Sequence, residues 1–260
     1  MRCIKMFHPG EIYHNLYKRR KVNTKVNNGH FARKPQICRM NIALIAATSK
    51  EIQPTLTYLS ERIYLRRHQK VETIITGVGQ MNTTYCLTKQ FAKDKPTLAI
   101  QAGIAGTLHP IYAPGMVVSV KEDMLGDLGV MEYNEWKDIF DLGLAEENGP
   151  PFFQKKLINP HRDLFQKLQL ESVRSITVNQ VSTNPEAICK MKEKYMPVIE
   201  SMEGAAFHYV CMMEKIPFIQ IRAISNMIGE RDKSCWKIKE AITALNNELI
   251  KYINQVTDIY

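Results

Sequence analysis

IESMEGAAFHYVCMMEKIPFIQIRAISNMIGE, residues 199–230, decides the reading of the fold. Val198–Glu200 is a short apolar-flanked strand. From Glu203 to Glu214 apolar residues recur at helical spacing, and Pro217 stops that helix. Phe218–Ile221 is then a β-rich run. Two carboxylates (Glu200, Glu203), a cation (Arg222) and a neutral amide (Asn226) fall at or near the ends of these elements. Ligand sites of open α/β sheets lie at the carboxyl ends of strands. These groups therefore suit a ligand in which sugar hydroxyls stand next to a heterocycle.

Working outward, strand-like runs alternate with helical patterns. The composition predicts a buried strand at Asn41–Ala47 and a helix over Ser49–Leu59. Further strands are expected at Val71–Thr76, Thr97–Ala102, Met116–Lys121 and Ser175–Asn179. Helices are expected around Asn82–Phe91 and over Trp236–Val256. Continuous apolar strands between helices argue for an α/β fold with a central sheet covered on both faces. The polar stretch Glu122–Pro151, with GDLG and PP, reads as a long functional loop or a subunit contact.

The formal charge of +9 is unevenly spread. Residues 1–39 hold ten Lys or Arg and one acid, Glu11, whereas the remaining 221 residues hold 25 basic and 25 acidic groups. The body thus has no charge reason to bind nucleic acid. The first 39 residues lack the apolar run of a secretory signal. They read as a basic leader, disordered or upstream of a start at Met40, and residues 40–260 as one domain. No stretch reaches the roughly 18 apolar residues of a membrane span. Six scattered cysteines without a CxxC pattern suit free thiols in a reducing cytoplasm. Neither His109 nor His208 has a ligand-spaced partner, so neither a metal nor a cofactor is expected.

SMEGAA (201–206) with IRAISN (221–226), QAGIAG (101–106) and GDLGV (126–130) carry a resemblance. They look like the nucleoside phosphorylase/nucleosidase superfamily, over about Asn41 to Asn254. Within it the chain is most similar to the futalosine hydrolases, which remove hypoxanthine from futalosine in an alternative menaquinone pathway. The resemblance implies a three-layer fold with a central mixed, twisted β-sheet flanked by helices. It also implies a nucleoside substrate, and a homodimer or larger homo-oligomer.

Cleaving a purine N-glycoside gathers positive charge on the ribosyl group as the base departs. Such a site needs a carboxylate near the sugar, hydrogen bonds to the base, and a base that activates the nucleophile. Glu203 is the candidate for the sugar carboxylate; by position alone it is equally an acid at a helix N-terminus. Met202 packs on the sugar face by resemblance, and is core by periodicity. Glu51, in AATSKEI, matches the glutamate that activates water in the related methylthioadenosine/S-adenosylhomocysteine nucleosidases. It also fits a capping box with Thr48. Arg222, ending an apolar strand, needs a charged partner: an active-site carboxylate, or a structural ion pair.

Those adenine-directed nucleosidases have aspartate where this chain has Asn226. An amide has one donor group and one acceptor: NH2 for O6 of a 6-oxopurine, C=O for a protonated N7. A loop asparagine or N-cap is the plain alternative. Gly103 and Ile104 are expected near the ligand, and Ile104 replaces a serine of the relatives. Gln101 stands where many phosphorylases have a phosphate-binding arginine, which favours hydrolysis. Ser182, Thr183 and Asn184 are candidates for reading the base through their backbone. Trp236 is a candidate to pack on the substrate. The expected activity is hydrolysis of futalosine. The alternatives are a phosphate-dependent phosphorylase, a methylthioadenosine/S-adenosylhomocysteine-type nucleosidase, and a non-catalytic nucleoside sensor.

Overall fold

A computed structural model describes residues 40–61 and 69–258. The expected leader, 1–39, lies outside the described residues. The first elements are β1 (Met40–Ala46), α1 (Ser49–Glu61), β2 (Gln69–Ile75), α2 (Gln80–Lys93), β3 (Leu98–Thr107) and β4 (Val117–Leu125). A hairpin, β5 (Gly129–Glu132) and β6 (Glu135–Asp138), is followed by β7 (Leu157–Ile158), α3 (Arg162–Leu168) and β8 (Ser172–Thr177). Then come α4 (Pro185–Tyr195), β9 (Ile199–Ser201), α5 (Gly204–Met213), β10 (Phe218–Met227) and α6 (Ile238–Asp258).

The layers follow from the alternation of side chains along a strand. Ile42, Leu44 and Ala46 of β1 pack with Ile52 of α1 and Leu245 and Leu249 of α6. Ala43 and Ile45 point the other way, toward Leu87 and Phe91 of α2 and Phe207 and Val210 of α5. Both faces of the strand are covered, so it reads as a continuous apolar run. Helix α6 buries Ala241, Leu245, Leu249, Tyr252, Ile253 and Val256, a stripe at helical spacing. Each large side chain in that stripe is worth about 1.5–3 kcal/mol of burial.

The central sheet has eight strands and is mixed. Strands β2, β1, β3 and β10 run parallel, β4 is antiparallel to β10, and β8 and β9 run parallel to β4. Strand β9 then pairs back, antiparallel, onto β3. Strands β3, β10, β4, β8 and β9 thereby form a closed ring, with β1 and β2 as an extension. The ring brings the ends of β3, β9 and β10 together.

Three expectations are corrected. The strand ending in ISN is ten residues long, Phe218–Met227, and buried through Asn226, so Arg222 lies inside it instead of at its end. The strand expected at Thr97–Ala102 does not stop there but runs to Thr107, so QAGIAG sits within β3, because β9 and β10 extend the pairing. The polar stretch from Glu122 is not one loop: it begins inside β4 and carries the β5–β6 hairpin, turned by Tyr133 and Asn134 at positive φ.

Candidate active site

A cavity of about 410 Å³ opens where these strand ends meet the N-termini of α1, α5 and α6. Its wall includes Thr48, Lys50, Glu51, Val78, Ile104, Met202, Glu203, Asn226, Trp236 and Ile238. A second cavity of about 200 Å³ adjoins it, lined by Trp136, Val181, Ser182, Thr183, Asn184 and Met191 among others. Val181 belongs to both walls.

Glu203 occupies the N-cap position of α5 but makes no side-chain cap bond. Its Oε1 instead accepts from the backbone N–H of Gly79 (3.1 Å). Its Oε2 lies 3.5 Å from Arg222 Nη1. Gly79 holds φ at +93°, a conformation only glycine adopts cheaply, and this aims its amide at the carboxylate. Gly79 thus serves Glu203.

Arg222 is buried and stands behind the cavity wall. Its Nη2 donates to Gln101 Oε1 (3.0 Å) and Nη1 reaches the Ile104 carbonyl (3.5 Å). Gln101, where a phosphate-binding cation was expected to be missing, therefore faces Arg222. Gly103 is not on the cavity wall. A Cβ there would sit 2.4 Å from Arg222 Nη1 and 2.9 Å from Glu51 Oε1. The glycine lets both side chains cross the strand.

Glu51 divides its two oxygens between the start of α1 and the cavity wall. Oε2 accepts from the backbone N–H and the hydroxyl of Thr48, both at 3.0 Å. Oε1 accepts from the Ile104 N–H (3.2 Å) at the cavity floor. Half a capping box holds the helix start while the other oxygen faces the pocket.

Asn226 is buried, with its side chain set by neighbours. Ser225 Oγ donates to its Oδ1 (2.7 Å), and its Nδ2 donates to the Met227 carbonyl (2.8 Å). One N–H and one lone pair remain for a ligand. The register of β10 against β3 shifts between Ile224 and Asn226, which re-aims this pair.

The segment 182–184 lies on the smaller cavity and not on the larger one. Asn184 is spent as the N-cap of α4, accepting from the amides of Glu186 and Ala187. Ser182 donates from both its amide (3.0 Å) and its hydroxyl to Glu200. Glu200 lines the larger cavity; burial holds its carboxyl above the usual range, and the Ser182 bonds oppose that rise. Trp236 is half-buried on the larger wall, its Nε1 donating to the Glu230 carbonyl (3.1 Å).

Sequence reasoning singled out neither Val78 and Val181 nor Lys50; single apolar or charged residues in loops carry no local signal. It also missed Asp123 and Gln220, which with His208 form a buried polar set beneath the site. Burial pushes the Asp123 carboxyl up to about 6, against the Thr177 hydroxyl and the Arg222 charge. Burial lowers His208 to about 4, and its Nδ1 lies 3.1 Å from the Leu157 carbonyl.

Comparison with known proteins agrees with this architecture. Residues 41–257 match the model of the phosphorylase superfamily. The chain is 31% identical over 172 residues to futalosine hydrolase of Thermus thermophilus, covering 65% of this chain and 75% of that protein. It is 28% identical over 193 residues to the 5′-methylthioadenosine/S-adenosylhomocysteine nucleosidase of Bacillus velezensis, covering 70% and 80%. Among solved structures, the nucleosidase of that type from Colwellia psychrerythraea, in complex with adenine, superposes with a TM-score of 0.68. It has 18% identity, over 84% of this chain and 96% of that one. The chain therefore belongs to the phosphorylase superfamily, as an enzyme of the nucleosidase type.

Proposed function

We propose that the chain hydrolyses the N-glycosidic bond of futalosine, releasing hypoxanthine. The observation that carries this reading is Asn226. It offers one free donor and one free acceptor on a cavity that also holds Glu203 and Glu51. A 6-oxopurine accepts at O6 and donates from a protonated N7, matching both. The kinship to a futalosine hydrolase supports the same choice.

In this mechanism the ribose lies against Met202, with its hydroxyls donating to Glu203. The carboxylate charge, held by Gly79 and Arg222, favours the cationic transition state more than the neutral ground state. Glu51 takes a proton from water at the Ile104 end of the cavity, and the hydroxyl attacks C1′ as the base leaves. Asparagine has no proton to give, so N7 receives its proton through water.

Arg222 favours hydrolysis over phosphorolysis: its guanidinium is engaged by Glu203, Gln101 and the Ile104 carbonyl, and is not turned to the cavity. A homodimer fits the exposed apolar groups near the cavity lip, including Val78 before α2 and Met81 and Tyr85 on it. Free cysteines at 86, 189, 211 and 235 suit a cytoplasmic setting. No helix among the described residues is long and apolar enough to cross a membrane.

The test is an assay of futalosine, inosine and methylthioadenosine side by side, with and without phosphate. Futalosine should be preferred, and free ribosyl product should form in phosphate-free buffer. Preference for methylthioadenosine would replace the substrate; a phosphate requirement with a ribose 1-phosphate ester as product would replace the reaction.

A further inference from the structure

Among the described residues, the larger cavity presents three carboxylates, Glu51, Glu200 and Glu203, and a single cation, Lys50. All three acids have partners already named: Glu51 holds Thr48 and Ile104, Glu200 holds Ser182, and Glu203 holds Gly79 and Arg222. Lys50 is exposed and has no ion-pair partner among the described residues. It also occupies the first turn of α1, next to Glu51, where the helix dipole disfavours a cation. Without Lys50, any anionic ligand would meet only like charge on the cavity wall.

We infer that Lys50 recognises a carboxylate carried by the non-purine part of the substrate, and so selects acidic nucleosides over neutral ones. This rests on the hydrolase reading above. The purine is taken by Asn226 and the ribose hydroxyls by Glu203, so a further arm on the sugar must leave through the rest of the cavity. Lys50 lies on that wall beside Thr48 and Val78, which supply apolar contact for an aryl ring. The ammonium on its flexible stem reaches an aryl carboxylate at the mouth, where water still screens the pair. The pairing therefore selects by charge at modest energy and shows mainly in KM. The aryl carboxylate of futalosine is a ligand of this chemistry.

The experiment uses futalosine and its methyl ester, which share one skeleton and differ in charge. The readout is the ratio of their kcat/KM values in the full-length wild type, Lys50→Met, Lys50→Arg and Lys50→Glu. The wild type should prefer the acid. Lys50→Met should cut that ratio about 2- to 5-fold, chiefly through KM. Lys50→Arg should restore it, and Lys50→Glu should favour the ester. Raising the ionic strength should narrow the wild-type preference. A wild type that prefers the acid, with the same ratio in all four proteins, overturns the role of Lys50 and leaves the hydrolase reading standing. A wild type that cleaves methylthioadenosine but neither futalosine compound overturns the substrate reading, and the inference with it.

Discussion

Glu203 Oε2 stands 3.5 Å from Arg222 Nη1, with both side chains almost fully buried. The carboxylate on the cavity wall, proposed to face the sugar, is thus held by a charge that stands behind that wall. Glu203→Gln keeps the shape and the bond from Gly79 but removes the negative charge. Losing a preorganised electrostatic contact of this kind costs on the order of 10²–10³ in rate. It also leaves Arg222 without its counter-charge, and removing one partner of a buried pair costs about 3–5 kcal/mol. Steady-state kinetics with urea unfolding separates the two effects. A variant that folds and turns over at near the normal kcat would remove Glu203 from the mechanism.

Gly103→Ala tests the crossing point of Arg222 and Glu51. The new methyl would lie 2.4 Å and 2.9 Å from their polar atoms, so both must move. Overpacking of this kind costs about 1–3 kcal/mol in stability. The displacement costs more in rate, since a misplacement of about 1 Å can lower it by about 10². The expected pattern is a folded protein with strongly reduced kcat. Wild-type kinetics in the alanine variant would show that the strand yields without moving either side chain.

Asp123→Asn addresses the buried polar set. The Asp123 carboxyl is pushed up to about 6 in the fold, so it contributes stability at low pH that is lost as pH rises through about 4 to 6. His208 is lowered to about 4, so it contributes stability above about 6.5 that is lost as pH falls toward 4. Between these limits the two slopes have opposite sign and offset each other. A protonated Asp123 donating to Gln220, which in turn donates to His208 Nε2, would satisfy side-chain atoms that otherwise lack partners. Replacing Asp123 removes one slope only. The stability of the variant relative to wild type should therefore rise from pH 4.5 to pH 7. Thermal unfolding at both values decides it, and a constant difference would place the Asp123 titration elsewhere.

Much of this site was legible because chemistry and position coincide in a short span. SMEGAA and IRAISN place Glu203, Arg222 and Asn226 within 24 residues, and β9, α5 and β10 bring them together by purely local connections. The α/β class was legible from apolar strands such as β1, which is buried on both sides. The ring closure was not, because the pairing of β9 with β3 joins residues nearly a hundred positions apart and leaves no local pattern. Helix α4 went unread despite its Asn-Pro start, as its three lysines and two glutamates mask the apolar positions Met191 and Tyr195. The segment 182–184, expected to read the base, lines the adjoining smaller cavity, and this too left no local signal. Nothing in VSTN says that Asn184 is consumed as an N-cap, or that Val181 is the residue on the larger wall.

Asn226→Asp probes the choice of base. In the native site the Met227 carbonyl and the Ser225 hydroxyl fix which end of the amide donates. Hypoxanthine satisfies both of the remaining valences. An adenine 6-amino group instead meets the N–H donor, and one polar group is left buried without a partner. That costs about 1–3 kcal/mol, or roughly 5- to 150-fold in kcat/KM at about 1.4 kcal/mol per decade. With aspartate, an oxygen replaces the nitrogen that lies 2.8 Å from the Met227 carbonyl. Two oxygens at that distance disfavour the ionised form, so the new carboxyl holds its proton more tightly than a solvated one. That proton lies toward the Met227 carbonyl, the same oxygen accepts from a 6-amino group through its free lone pair, and N7 still receives its proton through water. The preference for the 6-oxo substrate should narrow or reverse, and the 6-amino compound should be cleaved faster in absolute terms. The measurement is kcat/KM for futalosine and its 6-amino counterpart in both proteins. An unchanged ratio would move the reading of the base to Val181 and Glu200, the other groups on that wall.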